Sequence, residues 1–307
     1  MTDGIAASAR RTVVGLGELL WDLLPEGKQL GGAPANFAYI TSLLGDNGIV
    51  ASRIGNDDLG AEAVRKLDEL RLPTTYVQRD AHHPTGVVKV EVDAAGQPRF
   101  QIAQPVAWDF MEWTSGWQQL AQQADAVCFG SLAQRTPTSH ATIREFVQAT
   151  RKDAVKVFDV NLRQAFFSAD ILYDSMKLAD IVKLNHDELP RIMGLFDLSH
   201  VDAMASARRL AALHNLKLVC VTRGDHGSLL VTREAWSDHP GYKIKVADTV
   251  GAGDAFTAGM VYQYLRGEPL RQMGNLANRV GAWVASQVGA TPRPATGDVR
   301  AELARIS

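Results

Sequence analysis

Asp248-Thr249-Val250-Gly251-Ala252-Gly253-Asp254, followed at once by the apolar run Ala255-Phe256-Thr257-Ala258-Gly259-Met260-Val261, is the most informative stretch of this chain. Two glycines and an alanine directly ahead of an apolar run put bare backbone N–H groups at the start of a helix. There the unpaired amides and the helix dipole both favour an anion. Asp254 stands beside them in the first turn, where its charge would repel a phosphate unless the group it faced were a hydroxyl about to lose its proton. An anion cradle and a base in one turn is what phosphoryl transfer to an alcohol requires. A Gly-rich loop capped by an acid is common in itself. The acid at each end and the tight spacing favour the chemical reading.

Working outward, short β-branched runs alternate with longer amphipathic segments. Strands are expected at 12–16, 48–53, 126–129, 155–159, 181–184 and 216–221. Helices are expected at 34–44, 57–70, 137–150, 169–178, 186–194 and 202–213. Pro34 in a first turn, and Asn56 or Asp57 as a cap, mark two of the helix starts. Strands punctuated by helices imply an α/β fold, a mostly parallel central sheet with helices on both faces. Such sheets place ligands at the carboxyl ends of their strands. One region breaks the rhythm. Residues 85–92 alternate apolar and polar, Asp93-Ala94-Ala95-Gly96 turns the chain, and 97–103 returns as an antiparallel strand. With a further short strand at 19–24 this forms a small separate sheet suited to be a lid, drawn from about 19–32 and 84–105 within one domain spanning 1–307.

Composition narrows the function classes. The chain has 307 residues, 46% hydrophobic and 21% charged, as an ordinary globular protein has. Lys and Arg total 32 against 34 Asp and Glu, so no basic face for nucleic acid is expected. Cys128 and Cys220 lie in apolar runs and read as reduced core residues of a cytoplasmic protein. No apolar segment approaches the roughly 20 residues of a membrane span, so no membrane partner is expected. Glu18 and Asp22 break the apolar stretch after Arg10-Arg11, which argues against a signal peptide. The first ten or so residues read as a loose tail.

Several polar constellations fall near expected strand ends. Gly31-Gly32-Ala33-Pro34-Ala35-Asn36 would bring backbone close to a ligand and stand Asn36 on the next helix, where its amide can both donate and accept. Asp22 could accept two sugar hydroxyls, or be an exposed strand-end acid. In Asp159-Val160-Asn161-Leu162-Arg163, Arg163 could pair with a phosphate or stay at the surface. Asn185-His186-Asp187-Glu188 has the spacing of a capping box and becomes a magnesium site, through water, only beside a phosphate. In Thr222-Arg223-Gly224-Asp225-His226-Gly227-Ser228 the glycines either approach a nucleotide or turn a hairpin, and His226 reads as a solvated residue. The Gly-x-x-x-x-Gly-Lys-Ser/Thr loop is missing. Gly15-Leu16-Gly17 starts a dinucleotide fingerprint, but Leu20 stands where its last glycine belongs, and Glu18 would crowd a pyrophosphate.

In combination and order these segments resemble the ribokinase-like (PfkB) carbohydrate kinase family, and within it the fructokinases, from about residue 12 to 300. The 248–254 run is similar to the family's C-terminal signature, and 31–36 to its N-terminal one. Gly17-Glu18-Leu19-Leu20-Trp21-Asp22 and 159–163 resemble flanking motifs, with Val160 in place of the usual proline. The resemblance implies a ribokinase-like three-layer sandwich with a small β lid, and ATP-dependent phosphorylation of a sugar hydroxymethyl group, most closely fructose to fructose 6-phosphate. It makes Asp254 the base and the amides of Gly251, Ala252, Gly253 and Asp254 the anion hole. It assigns Asp22, Gly32, Asn36, Phe100 and Arg163 to the sugar, and Asn185, Thr222, Gly224, Gly227 and Asn278 to ATP. Glu188 would help position Mg2+. Asp248, Val250 and Gly289 match a monovalent-cation site, giving K+ as a further cofactor. A homodimer through the lid is expected on the same ground.

Two other readings stand beside this one. The same chemistry could serve 2-keto-3-deoxygluconate, ribose or a nucleoside; Asp22 argues against a sugar acid, while Arg163 could receive its carboxylate. A non-catalytic sugar or nucleotide sensor would bind without turnover, but has no need of a base at Asp254. An NAD-linked oxidoreductase is disfavoured by the incomplete fingerprint.

Overall fold

The computed structural model describes residues 9–24, 27–92 and 98–306, with 90–92 and 98–100 described by backbone alone. Most of the loose tail, the turn at Asp93-Ala94-Ala95-Gly96 and the pair Pro25-Glu26 lie outside the described residues. The chain opens with β1 (Thr12–Leu16), whose Val13 packs toward one side of the sheet and Val14 and Leu16 toward the other. Both faces of this strand are apolar because both are covered. A hairpin follows, β2 (Leu20–Leu24) and β3 (Gly27–Gly31), and leads into α1 (Ala33–Leu44) with Pro34 in its first turn. Gly45 closes that helix in the left-handed conformation.

Next come β4 (Asn47–Gly55), α2 (Asp58–Glu69), β5 (Val77–Asp80) and the hairpin β6 (Gly86–Val92) and β7 (Pro98–Ile102). Asp57 caps α2, accepting from the Gly60 N–H at 2.7 Å, as its position in the sequence suggested. The chain then runs through α3 (Ser115–Gln123), β8 (Ala126–Gly130), α4 (Pro137–Ala149), β9 (Val155–Asp159), α5 (Ala169–Leu178) and β10 (Ile181–Asn185). It continues with α6 (Glu188–Leu195), α7 (Ala203–Leu213), β11 (Leu218–Thr222), β12 (Ser228–Val231) and β13 (Trp236–His239). The last part is helical: α8 (Ala252–Tyr264), α9 (Leu270–Ala285) and α10 (Val299–Leu303).

Nine strands form one sheet in the order β13-β12-β11-β10-β9-β8-β1-β4-β5, parallel except for β12 and β13. The other four, β3-β2-β6-β7, make a separate sheet. Within it β2 and β6 run parallel, and the two hairpins are antiparallel. One apolar cluster joins the main sheet to α3 through α7. The other joins it to α1, α2 and α8 through α10. Helices on both faces of a mostly parallel sheet make the three layers the sequence implied. Among the described residues no helix is long and apolar enough to cross a membrane.

The structure adds elements that the pattern did not announce. α3 turns only Trp117, Leu120 and Ala121 into the core, and its remaining residues are glutamines and small side chains. β12 is buried at all four positions, so it has no alternation to read. β13, Trp-Ser-Asp-His, alternates between exposed and half-buried positions along the edge of the sheet. β11 begins at Leu218, two residues later than expected, because Leu216 is buried in the turn that ends α7 and its N–H is taken by the Ala211 carbonyl. β3 is built from Gly, Lys, Gln and Leu, a composition that reads as loop until it is paired with β2.

Candidate active site

Asn36 and Asp254, one from each glycine-rich run, meet where the carboxyl ends of β8 and β9 approach the start of α8. Gly251 caps that helix in the left-handed region, at φ 75°, and a Cβ there would lie 2.4 Å from the Cβ of Ala290. Ala252, Gly253 and Asp254 form the first turn. The Ala252 N–H leans on the Thr249 carbonyl at 3.3 Å, whereas the Gly253 and Asp254 amides have no acceptor within the helix. Asp254 Oδ2 accepts from the amide of Asn36 on α1 at 2.8 Å, which fixes the carboxylate across the two signatures.

A cleft next to this turn is lined by Glu18, Phe37, Asp159, Asn161, Asp254 and Thr257. Burial, then the charge of Asp159, push the Asp254 carboxyl up to about 6, against the Asn36 hydrogen bond and the positive charges of Lys183 and Arg163. Glu18 is pushed up to about 7, first by burial and also by the charge of Asp254. Hydrogen bonds from its own backbone N–H and, at 3.4 Å, from the Ala33 N–H oppose that shift.

On the sugar side, Asp22 projects from β2. Burial raises its carboxyl above the ordinary value, and Arg163 opposes the shift. The paired glycines serve this acid and its neighbour. A Cβ on Gly31 would lie 2.3 Å from Asp22 Oδ2, and one on Gly32 would lie 2.4 Å from the Glu18 carbonyl. Both glycines thus pass close to the chain's own acidic segment. Arg163 is exposed in the loop after β9, hydrogen-bonded to the Leu162 carbonyl at 3.3 Å, and its charge reaches Glu18, Asp22 and Asp254. Phe100 stands on β7 opposite Val90, and its side chain is outside the described residues.

On the nucleotide side, Asn185 and Thr222 are register partners at the ends of β10 and β11. The capping box is real. Asn185 Oδ1 accepts from the Glu188 N–H at 2.9 Å, and Glu188 Oε2 accepts from the Asn185 N–H at 2.8 Å. Glu188 Oε1 also accepts from the Leu162 N–H at 2.7 Å, tying α6 to the loop that carries Arg163. Gly224 has φ 59° and faces open space. Gly227 instead turns the β11–β12 hairpin, where a Cβ would lie 1.9 Å from the His239 carbonyl oxygen. Asn278 is buried on α9, and its amide nitrogen donates to Ser228 Oγ at 2.8 Å and the Gly274 carbonyl at 2.7 Å. Asp248 gathers its two expected companions, accepting from the N–H groups of Val250 and Gly289 at 3.0 Å each. Among the described residues no group of three or more His, Cys, Asp or Glu is arranged to hold a metal.

Four residues at the centre, Glu18, Asp159, Lys183 and Thr257, carry no chemical role in the sequence reading. Glu18 stands there as a break in an apolar stretch, a member of the 17–22 motif and an obstacle to a pyrophosphate. Lys183 is buried on β10 and pairs with Asp159 at 3.0 Å. Thr257, one turn into α8, donates to Asp159 Oδ2 and lies 3.0 Å from the Gly253 carbonyl. A lysine inside the apolar strand Ile181-Val182-Lys183-Leu184 is the available signal, since a charge in such a strand is retained only when paired.

Known proteins match this arrangement along nearly the whole chain. The pattern of the pfkB family carbohydrate kinases matches residues 26–296. The putative sugar kinase PH1459 of Pyrococcus horikoshii is 31% identical over 302 residues, 92% of this chain and 93% of its own. Its structure in complex with ATP superposes with a TM-score of 0.76 at 29% identity, covering 91% of this chain and 93% of that one. A fructokinase of Klebsiella pneumoniae is 32% identical over 259 residues, 80% of this chain and 82% of its own. A double mutant of the Vibrio cholerae fructokinase, described with fructose, ADP and potassium ion bound, superposes with a TM-score of 0.81 at 25% identity, covering 97% and 98% of the two chains.

Proposed function

We propose, since the chain belongs to the pfkB family of carbohydrate kinases, that it transfers the γ-phosphoryl group of ATP to the hydroxymethyl group of fructose. One observation carries the chemistry: a carboxylate fixed at 2.8 Å by Asn36 within the turn that offers the free amides. The sugar hydroxyl loses its proton to Asp254, its oxygen bonds to the γ-phosphorus, and the bond from that phosphorus to the bridging oxygen breaks, leaving the electron pair on ADP. The Gly251–Asp254 amides meet the charge on the moving group. Asp22, Gly32, Asn36 and Arg163 hold the sugar. The small sheet, which carries Asp22 on β2, acts as the lid that excludes water.

Asn185, Thr222 and Gly224 line the nucleotide at the ends of β10 and β11, with Gly227 and Asn278 holding that edge in shape. Glu188 suits Mg2+ through water, because both its oxygens already accept backbone N–H groups. The ion, bound with ATP, supplies charge neutralisation on the phosphates. Asp248, Val250 and Gly289, which the fold brings together, form the monovalent-cation part of the proposal. Fructose is favoured by the fructokinase relatives and by Asp22, which suits a neutral polyol better than a sugar acid.

The test is ADP release with ATP, Mg2+ and K+ against fructose, ribose, 2-keto-3-deoxygluconate, glucose and adenosine. Selective turnover of fructose is expected. Turnover of another sugar retires the substrate, and silence with ATP bound replaces the kinase with a sensor. In the same assay Asp22→Ala should raise KM for the sugar about 10- to 150-fold, as loss of hydrogen bonds to a charged acceptor does, with a smaller change in kcat. An unchanged KM would remove Asp22 from the sugar site.

The pH dependence has a definite sign. Asp254 accepts a proton only when ionised, and its carboxyl holds its proton up to about 6. At saturating ATP, kcat/KM for the sugar should therefore rise with pH through about 6 and level off above it. A profile flat from about pH 5 to 8 would contradict this assignment of the base.

A further inference from the structure

Gly253 has ordinary helical backbone, yet its missing side chain matters. A Cβ there would point at Lys183 Nζ from 3.2 Å. The lysine ammonium takes up the space of that absent side chain, directly against the first turn of α8. It is held in place by Asp159 Oδ1 at 3.0 Å, and the other oxygen of Asp159 accepts from Thr257 Oγ1 at 3.0 Å. Thr257 lies in turn against the Gly253 carbonyl. β9, β10 and α8 are thus joined by one buried polar chain that ends beside the base.

We propose that Lys183 is a positioning residue for phosphoryl transfer, its buried ammonium offsetting Asp159 so that Asp254 stands ionised at the mouth of the anion hole. The proposal rests on the reading of Asp254 as the base. The groups that face Asp254 are Asp159 from β9, Lys183 from β10, Asn36 from α1, Glu18 from the segment after β1, Arg163 from the loop after β9, and the thiol of Cys128 from β8. Glu188 at the start of α6 faces Lys183. Of the two cations Arg163 is exposed, so Lys183 is the one fixed by burial. Burial works against its charge, but Asp159, Glu188 and Asp254 together hold it above the ordinary lysine value. Two buried carboxylates this close do not both ionise without such a partner.

The pair makes a test with opposite signs. Lys183→Met removes the positive neighbour and should move the acid limb of kcat/KM about one pH unit upward, with turnover falling about tenfold near pH 5 but only about twofold at pH 7, and KM for the sugar little changed. Asp159→Asn removes the negative neighbour and should move the same limb downward. Lys183→Arg should hold the limb near its native position. A role in folding alone moves neither limb. Limbs that stay put, or move in the same direction, overturn the proposal. Should Lys183→Met fail to fold, Asp159→Asn decides alone, and an unmoved limb is the adverse result. The titration of Asp254, followed by NMR on protein carrying 13C-carboxyl aspartate, gives the same comparison without substrate. Native protein that phosphorylates no sugar would therefore defeat the kinase reading alone. The NMR titration would still show whether Lys183 governs the charge on Asp254.

Discussion

Asp254→Asn is expected to fold, bind ATP and lose about 10²- to 10⁴-fold in kcat, the usual contribution of a positioned general base. The amide has the shape of the carboxylate and can still accept from Asn36, so the turn that carries the anion hole keeps its geometry. What it cannot do is take the proton. The same substitution has a stability consequence with a clear sign. The Asp254 carboxyl titrates at about 6 in the folded protein, above the usual carboxylate range, chiefly because it is buried. Ionising Asp254 therefore costs the native protein stability as pH rises toward 6, and the Asn variant is spared that part of the loss. At about pH 8 the variant should unfold at higher denaturant than the native chain, and the difference should shrink below about pH 5. Loss of activity together with gain of stability would separate a catalytic carboxylate from a structural one. Near-native turnover would remove Asp254 as the base.

The second large effect concerns the root of the small sheet. Arg135, 2% exposed in its side chain, grips the fully buried Asp109 through Nε at 2.7 Å and Nη2 at 2.8 Å. It also donates to the Ala103 carbonyl at 2.6 Å, and its guanidinium lies over Trp108 at 3.9 Å and Phe166 at 4.8 Å. Asp109 in turn accepts from the Val106 N–H at 3.0 Å. This knot fastens the segment leaving β7 to the main domain, and Phe166 joins it to the loop that carries Arg163. Asp109→Ala leaves a buried guanidinium without its partner and should cost about 3–5 kcal/mol in chemical denaturation. Replacing both members with apolar residues, Asp109→Leu with Arg135→Met, should recover much of that loss. A single-variant cost below about 1 kcal/mol, the range of exposed pairs, would show that water reaches the guanidinium.

The main sheet is legible in the sequence because its strands are apolar on both faces and sit between well-marked helices. The turn at the start of α8 is legible because glycines and an acid at that spacing have few other uses. The misses share a cause. β3 and β13 are stabilised by their neighbours rather than by their own side chains, so no local pattern announces them. Lys183 escapes notice, and Glu18 is noticed without a role, because local spacing says nothing of partners contributed by other strands. The spacing of Asn185 and Glu188 does announce a capping box, and only the fold shows the same carboxylate reaching the loop of Arg163.

The hydrogen bond between Asn36 and Asp254 joins residues 218 apart in the chain. It has company along one seam: Arg266 to Asp46, 220 apart, and the Tyr39 hydroxyl to the Pro292 carbonyl, 253 apart. The first helix and the last helices are two jaws of one clamp. As the chain leaves the ribosome, the apolar side of α1 emerges early and waits for α8 and α9 to cover it. Contacts of such long range form slowly and leave oily surface bare in the interval, which puts the growing chain among those that need shelter from aggregation. It also means that Asp254 is synthesised near the end and closes the seam as it arrives.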